Sequence, residues 1–342
     1  MRAHIRTVVV LALSVAMLAW FLRGANLREV WSEIQNGRIG LLVLAVAITA
    51  MTYVFRSLRW QYLLRPLGNP PFSAVFKTTV IGFAASTLLP ARVGEVVRPY
   101  LLARRAGFSA TSAFATIILE RLLDLITVLL LFGYYLAFHT PAVAAGHSAT
   151  FTALKSGGLL AAVASAAGLI FMMVVAGHPE KLATWALRVE RVLPAKLANA
   201  VAQLVRTFLE GLAVVRQPRR LTVACLLSLP LWLSIALGIW AASRAFHIEM
   251  SYPGAFLMMA VLVVGVAVPT PGAVGGFHKA YQIGAIAFFG VANDRAVGAA
   301  VVLHAISFVP VTIAGAIFLA QEGLSLSRVR GLAVPGAPGD PV

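Results

Sequence analysis

Six stretches of this chain, at about 6–23, 39–56, 112–138, 157–176, 221–243 and 296–320, are apolar over close to the length a helix needs to cross a membrane. A hydrocarbon core roughly 30 Å thick takes about 20 helical residues. Inside it every backbone N–H and C=O must find a partner within the protein, so runs of this kind span only as helices. Two further apolar segments, 73–106 and 253–289, are interrupted by proline, glycine and charge: LLPARVGEVVRPYL at 88–101 and PTPGAVGGFHKAY at 269–281. Broken backbone survives at membrane depth only against protein or water. The expected fold is therefore an all-α integral membrane bundle of about six spanning helices plus two broken or re-entrant segments around a lined cavity.

Composition agrees. Hydrophobic residues make up 60%, charged residues 12%, and mean hydropathy is +0.88, which excludes a soluble domain. The formal net charge of +16 does not point to nucleic acid, because its basic residues lie between apolar spans, where they set orientation. The start, MRAHIRTVVVLALSVAMLAWFLRG, has a basic and then an apolar region, but Trp20 and Phe21 lead straight into Arg23 with no small-residue cleavage site. It reads as an uncleaved first spanning helix. Cys225 is the single cysteine and sits in an apolar run, so no disulfide or thiolate metal site can be built.

If each broken segment enters and leaves on one side, the N-terminus, 56–72, 92–110, 177–220 and the C-terminus share a face. That face carries 19 Lys and Arg against six on the other. The positive-inside rule then places both termini in the cytoplasm, in what is expected to be a prokaryotic cytoplasmic membrane. The organisation expected is one polytopic domain, 1–325, with a cytoplasmic amphipathic connection at 177–220, and a Pro- and Gly-rich disordered tail, 326–342. In the connection, Leu197, Val201, Leu204, Val205, Phe208, Leu212 and Val215 recur at helical spacing. Such a helix either lies on the anionic inner leaflet or packs on its neighbours. Trp20, Trp31, Tyr53, Trp60, Tyr62, Trp240 and Tyr252 lie near span ends, where aromatic rings anchor at the interface.

The two breaks share the pattern Pro-x-x-Val-Gly-x-x-x-Arg/Lys, at Pro90, Val93, Gly94 and Arg98 and at Pro271, Val274, Gly275 and Lys279. Pro269, Gly272 and Gly276 loosen the second break further. Discontinuous segments at matching places in two halves suggest an inverted repeat with a midplane binding site. Helices restarting after each break present free N–H groups and the positive end of the dipole, which favour phosphate or carboxylate. Arg92 and Arg98 flank Glu95 in a cluster suited to a lipid phosphate, or to snorkelling at an interface.

The 112–138 run carries Glu120, Arg121 and Asp124, and each lone charge at the bilayer centre costs at least ~2.5 kcal/mol. They form an ion network with Arg92, Arg98 or Lys77, take part in substrate or proton handling, or do both. His278 and Lys279 at the second restart are weaker candidates for headgroup contact or proton handling. His304 sits alone in an apolar run, and no histidine has metal-ligand spacing. No Gly-rich phosphate loop, nucleophile elbow or His-Glu-x-x-His occurs, so neither enzymatic activity nor a cofactor or metal is expected.

On LLPARVGEVVRPYLLARRAGFSATSAFATIILERLLDL at 88–125, SLRWQYLLRPLG at 57–68 and PTPGAVGG at 269–276, the chain resembles the flippase-like membrane domain of lysylphosphatidylglycerol synthases and its stand-alone relatives. The resemblance implies a polytopic lipid-handling protein, in some members linked to polyprenyl-lipid or envelope-glycan pathways. It implies site positions at Pro90, Arg92, Gly94, Glu95, Arg98, Glu120, Arg121, Asp124, Pro271, Gly272 and Gly275. Many relatives place a glutamate shortly after the last glycine motif, where this chain has Phe277, His278 and Lys279, so headgroup specificity does not transfer. The soluble aminoacyl-transferring domain of the synthases is not found in these 342 residues, so the chain is not expected to make aminoacyl lipid itself. The leading expectation is translocation of a lipid with an anionic or phosphate-containing headgroup, phospholipid or polyprenyl-linked. The alternatives are a non-catalytic membrane partner of an envelope lipid or glycan enzyme, and a secondary transporter of a small anion.

Overall fold

The computed structural model describes residues 2–89, 92–139, 148–178, 195–268 and 270–323, with side chains over 12–89, 92–139, 152–178, 200–268 and 270–323. Pro90, Pro269, residues 179–194 of the connection and the 326–342 tail lie outside the described residues. All regular structure described is helical: α1 (Arg2–Leu22), α2 (Leu27–Gln35), α3 (Ile39–Leu64), α4 (Phe72–Leu88), α5 (Gly94–Ala106), α6 (Ala110–Phe138), α7 (Ser148–Gly177), α8 (Ala195–Gly211), α9 (Pro218–Ala245), α10 (Gly254–Ala267), a 3-10 turn (Pro271–Ala273), α11 (Gly276–Phe289) and α12 (Asn293–Gln321). Four of these, α3, α7 over 152–177, α9 and α12, are long and apolar enough to cross a membrane. The six expected from the sequence also include α1 and α6, and α6 carries Glu120, Arg121 and Asp124 in its interior. α2 lies between the first two expected spans, where no helix is expected to cross; Asn26 caps it by accepting the Arg28 N–H.

Each broken segment folds back on itself as an antiparallel helical hairpin. In the first, Gly94 at the start of α5 lies against α4: a methyl group there would collide with the Gly82 carbonyl and the Ser86 hydroxyl. In the second, Gly265 faces Gly276 and Ala280, while Met258 faces Gly284 and Phe289 faces Gly254. Removing the Cβ allows two backbones to approach closely, which is how helices pair where apolar burial gives no advantage over lipid.

The outer ends of the two hairpins lie at opposite ends of the bundle. Arg105 at the close of α5 pairs with Glu322 at the close of α12. The loop ahead of α12 joins instead the end of α1 and the start of α2, where Asn293 Nδ2 donates to the Gly24 carbonyl at 3.1 Å and the Asn26 N–H to Asp294 at 2.9 Å. The tips meet between them. Thr87 abuts Gly272, and Arg92 Nη2 donates to the Val266 carbonyl at 2.7 Å, a cation placed on the C-terminal end of α10.

The rest of the bundle holds this pair. α3 and α9 run antiparallel along most of their length, joined from the Arg38 N–H to the Ala245 carbonyl, through Thr52 and Ser234, to Arg59 and Ser228. α8 packs on α6: Ser112 Oγ donates to the Thr207 carbonyl at 2.6 Å, Gly211 seats against Ser112 and Leu209 is buried, while Val201 and Leu204 of the expected apolar face are exposed. One apolar core surrounds α10 and α11, and a second joins α3, α6 and α8. Asp124 lies where α6 passes from the second, with Leu119 and Leu123, to the first, with Val128 and Phe132.

Candidate functional site

α3 continues to Leu64, two turns beyond the end of its apolar run, and those turns are buried rather than exposed at the cytoplasmic face. This corrects the placement of Arg56 and Arg59 in an aqueous stretch. Together with Arg92 and Arg98, both held inside the bundle or at a hairpin tip, they leave the tally of 19 basic residues, without reversing the asymmetry against six. Trp60, expected to anchor at the interface, is likewise fully buried. The missed signal was spacing: Thr52, Arg56, Arg59, Trp60 and Leu63 recur at three and four residues and so share one face of a longer helix.

That face meets α6. Glu120, with no exposed surface, accepts at one carboxylate oxygen from Arg98 Nη1 at 2.9 Å and Arg121 Nη2 at 2.7 Å, with Arg59 Nη2 at 3.6 Å. Asp124 pairs with Arg59 Nη1 at 2.7 Å, which itself donates to Ser228 Oγ, and accepts from the Trp232 indole at 2.9 Å. Arg56 Nη1 stands 3.8 Å from Glu120 and 3.7 Å from Asp124. The Arg98 guanidinium lies 3.8 Å from the centre of the Trp60 ring, whose indole N–H is held by Thr116, and Arg56 lies over Phe83 at 4.7 Å. A guanidinium suits such a position because its faces are weakly hydrated while its edges donate.

Four guanidiniums surround two carboxylates, and Glu95 at 4.0 Å from Arg121 is the third acid nearby. With Arg92 also counted, five arginines and three acids leave a net charge of +2. Burying ions costs several kcal/mol each, and attraction repays this only when the remaining donors and acceptors are satisfied. Here Nε of Arg56, Arg59, Arg98 and Arg121, Nη1 of Arg56 and Nη2 of Arg59 and Arg98 have no hydrogen-bond partner among the described residues. Glu120 Oε2 and Asp124 Oδ2 are likewise without a hydrogen bond among the described residues, so the cluster combines an excess of positive charge with spare donors and acceptors.

Two cavities touch it. One of about 150 Å³ lies under the first hairpin tip, against Ser86, Glu95, Arg98 and Thr270. The other, of about 410 Å³, is bounded by Tyr53, Arg56, Asp124, Trp232 and Phe277. Arg92 and Arg121 line both. Arg92 holds φ at +53°, a left-handed conformation costly for a residue with a Cβ and often concentrated at functional sites.

The structure brings Glu95, Arg98, Glu120, Arg121 and Asp124 together, with Arg92 on the adjoining walls. Of the expected ion partners, Arg98 joins the network. Lys77 instead lies over Phe318, with its ammonium 5.8 Å from the ring centre. Lys279 is not part of the cluster either: it donates to Gln282 at 2.8 Å, sits over Trp20, and lines a different cavity. The sequence echo between Arg98 and Lys279 therefore does not extend to their surroundings. His278 accepts the Gly275 N–H through Nδ1 at 3.3 Å, and its ring lies 4.3 Å from that of His304, whose Nε2 meets the Gly272 carbonyl at 2.7 Å. His304 is thus not isolated: the two imidazoles brace Gly272 and Gly275, both at positive φ, and define the second break. No group of three His, Cys, Asp or Glu suited to a metal occurs among the described residues.

Two curated proteins show local similarity. The Glycosyltransferase AglD of Haloferax volcanii is 29% identical over 127 residues, covering 37% of this chain and 20% of that protein. UPF0104 membrane protein MJ1595 of Methanocaldococcus jannaschii is 23% identical over 137 residues, covering 38% of this chain and 41% of that one. The chain thus spans less than half the length of either. The family model described as the lysylphosphatidylglycerol synthase TM region matches residues 7–315, nearly the whole chain, and the chain belongs to that family.

Proposed function

We propose that this protein carries a lipid with a phosphate-containing, anionic headgroup across the membrane and performs no covalent chemistry on it. The observation carrying this reading is the arginine cluster with its excess of positive charge, Arg56, Arg59 and Arg98 buried and Arg92 and Arg121 on the walls of two cavities where the hairpin tips meet. A phosphate supplies the missing negative charge, and its oxygens accept from several guanidiniums in the bidentate geometry such groups favour. In this reading α4–α5 and α10–α11 are re-entrant hairpins entering from opposite faces as an inverted repeat, the arrangement by which rocking halves expose a midplane site alternately. Both termini lie in the cytoplasm.

Reconstituted into vesicles, the protein should move phosphate-bearing lipids between leaflets. Arg121→Gln, which removes one charge-assisted contact on the wall shared by both cavities, should slow this by at least about tenfold. Failure to move any of a broad panel of phospholipids and polyprenyl phosphates would overturn the reading.

A second reading, docking to an envelope-glycan enzyme, is favoured by the similarity to part of a glycosyltransferase and by Leu204 on α8, which is 56% exposed. It predicts the opposite sensitivity: deleting α8 abolishes function while Arg121→Gln preserves it.

A further inference from the structure

Beside the arginine-lined chambers lies a third cavity, of about 510 Å³, bounded by α1, α6, α7, α10 and α11. Trp20, Leu129, Phe132, Gly157, Val264 and Ile283 face it, and Lys279 is the one charged residue on its wall among the described residues. It opens on the flank of the bundle: Trp20 is 51% exposed and Val264 63% exposed. Its inner wall is shared. Leu125 and Val128 of α6 and Val263 of α10 line both this cavity and the 410 Å³ chamber beside Arg56, Arg121 and Asp124. A chamber with Arg56, Arg92, Arg121 and Asp124 on its otherwise largely apolar wall and a second whose one charged residue among those described is Lys279 therefore stand back to back across a single layer of side chains.

We infer that the flank cavity seats a hydrocarbon chain of the lipid whose headgroup the arginines hold, and that Leu125, Val128 and Val263 form the gate through which headgroup and chain stay connected. This deepens the lipid reading and rests on it. A small anion requires only the arginines, whereas an amphiphile requires a charged site and an apolar one within a few bonds of each other. The volume lies in the range of ordinary ligand sites, about 300–1,000 Å³. Lipid tails are as apolar as leucine, so the chain gains little by leaving the bilayer. What the cavity contributes is an apolar path that lets the phosphate reach the arginines without drawing its tail through polar surroundings. Lys279, held between Trp20 and Gln282 on the cavity wall, offers a cation to the headgroup on its way in. Room for the chain comes from α7, where a Cβ on Gly157 would have nothing within 4 Å.

Val128 makes the test selective, because it is 2% exposed and lipid surrounding the protein does not reach it, whereas Leu130, 64% exposed, is on the surface. The full chain is reconstituted with phosphatidic acid bearing a photoactivatable diazirine in mid-chain, with the matching diacylglycerol as the probe without phosphate. The expected result is labelling of Val128 by the phosphatidic acid probe and not by diacylglycerol, with Leu130 labelled by both. Gly157→Phe, which fills the cavity from α7, should abolish labelling at Val128 while leaving it at Leu130. Ile283→Trp, which narrows the mouth from α11, should do the same, and an unchanged thermal unfolding midpoint shows that each variant is folded. Equal labelling of Val128 by both probes, or labelling that survives both substitutions, overturns the inference. If phosphatidic acid crosses the vesicles and Val128 stays unlabelled, the inference falls while the lipid reading stands. If it neither crosses nor labels, both fall.

Discussion

Glu120 is held by arginines from α3, α5 and α6, so its charge determines whether three helices keep their register. Neutralising one member of a buried ion network strands its partners, typically at ~3–5 kcal/mol. Glu120→Gln should therefore lower the thermal unfolding midpoint in detergent by an amount matching a loss of that size. Arg98→Met leaves a carboxylate with fewer donors and should destabilise too. Combining the two should cost clearly less than the sum of the single changes, because each then removes the other's penalty. Additive losses would show that the 2.9 Å contact carries no coupling. The acids and Arg121 were legible in the sequence because charge inside a long apolar run stands out. Arg56 and Arg59 were not, because they follow the point where hydropathy falls, and composition alone does not distinguish a buried polar turn from an exposed one. Their burial depends on partners far along the chain: Ser228, 169 positions from Arg59, and Asp124 for both arginines.

Among the elements, the hairpins were readable as breaks and unreadable as hairpins. Proline, glycine and charge announce that a helix stops, but the direction in which the chain resumes is set by a close contact between Gly82 and Gly94 that no local pattern encodes. Gly94→Ala tests that contact. Its methyl group would meet the Gly82 carbonyl, and overpacking of this kind costs typically ~1–3 kcal/mol. Gly133→Ala on α6 is the matched control, since a Cβ there meets nothing within 4 Å. It should be neutral or stabilise by up to ~1 kcal/mol through helix propensity alone. Thermal unfolding of the two variants side by side separates crowding at the hairpin from a general intolerance of substituted glycine. The Lys279 environment teaches the same lesson in reverse. The motif places it as the counterpart of Arg98, yet α11 turns it toward α1 and the flank cavity, because helix orientation and not motif position decides what a side chain faces.

At the scale of the molecule, α1 begins and α12 ends at one end of the bundle, while the loop between α11 and α12 lies at the other. The basic residues inherit this division: Arg65, Arg104, Arg105, Arg216, Arg219 and Arg220 sit toward the first end, and Arg23, Arg28, Arg38, Arg244 and Arg295 toward the second. Both groups flank helices closely, where the bias acts. The first end should therefore face the cytoplasm. Cys225, the single native cysteine, is replaced by serine, and exposed positions are converted singly: Ala292→Cys ahead of α12 and Gln217→Cys ahead of α9. In intact cells a membrane-impermeant maleimide should label Ala292→Cys and spare Gln217→Cys until the membrane is opened. The reverse pattern would place the termini outside. Labelling of both in intact cells would put the two ends of the bundle on one side of the membrane, which two hairpins entering from opposite ends do not permit, and the inverted arrangement would fall with it.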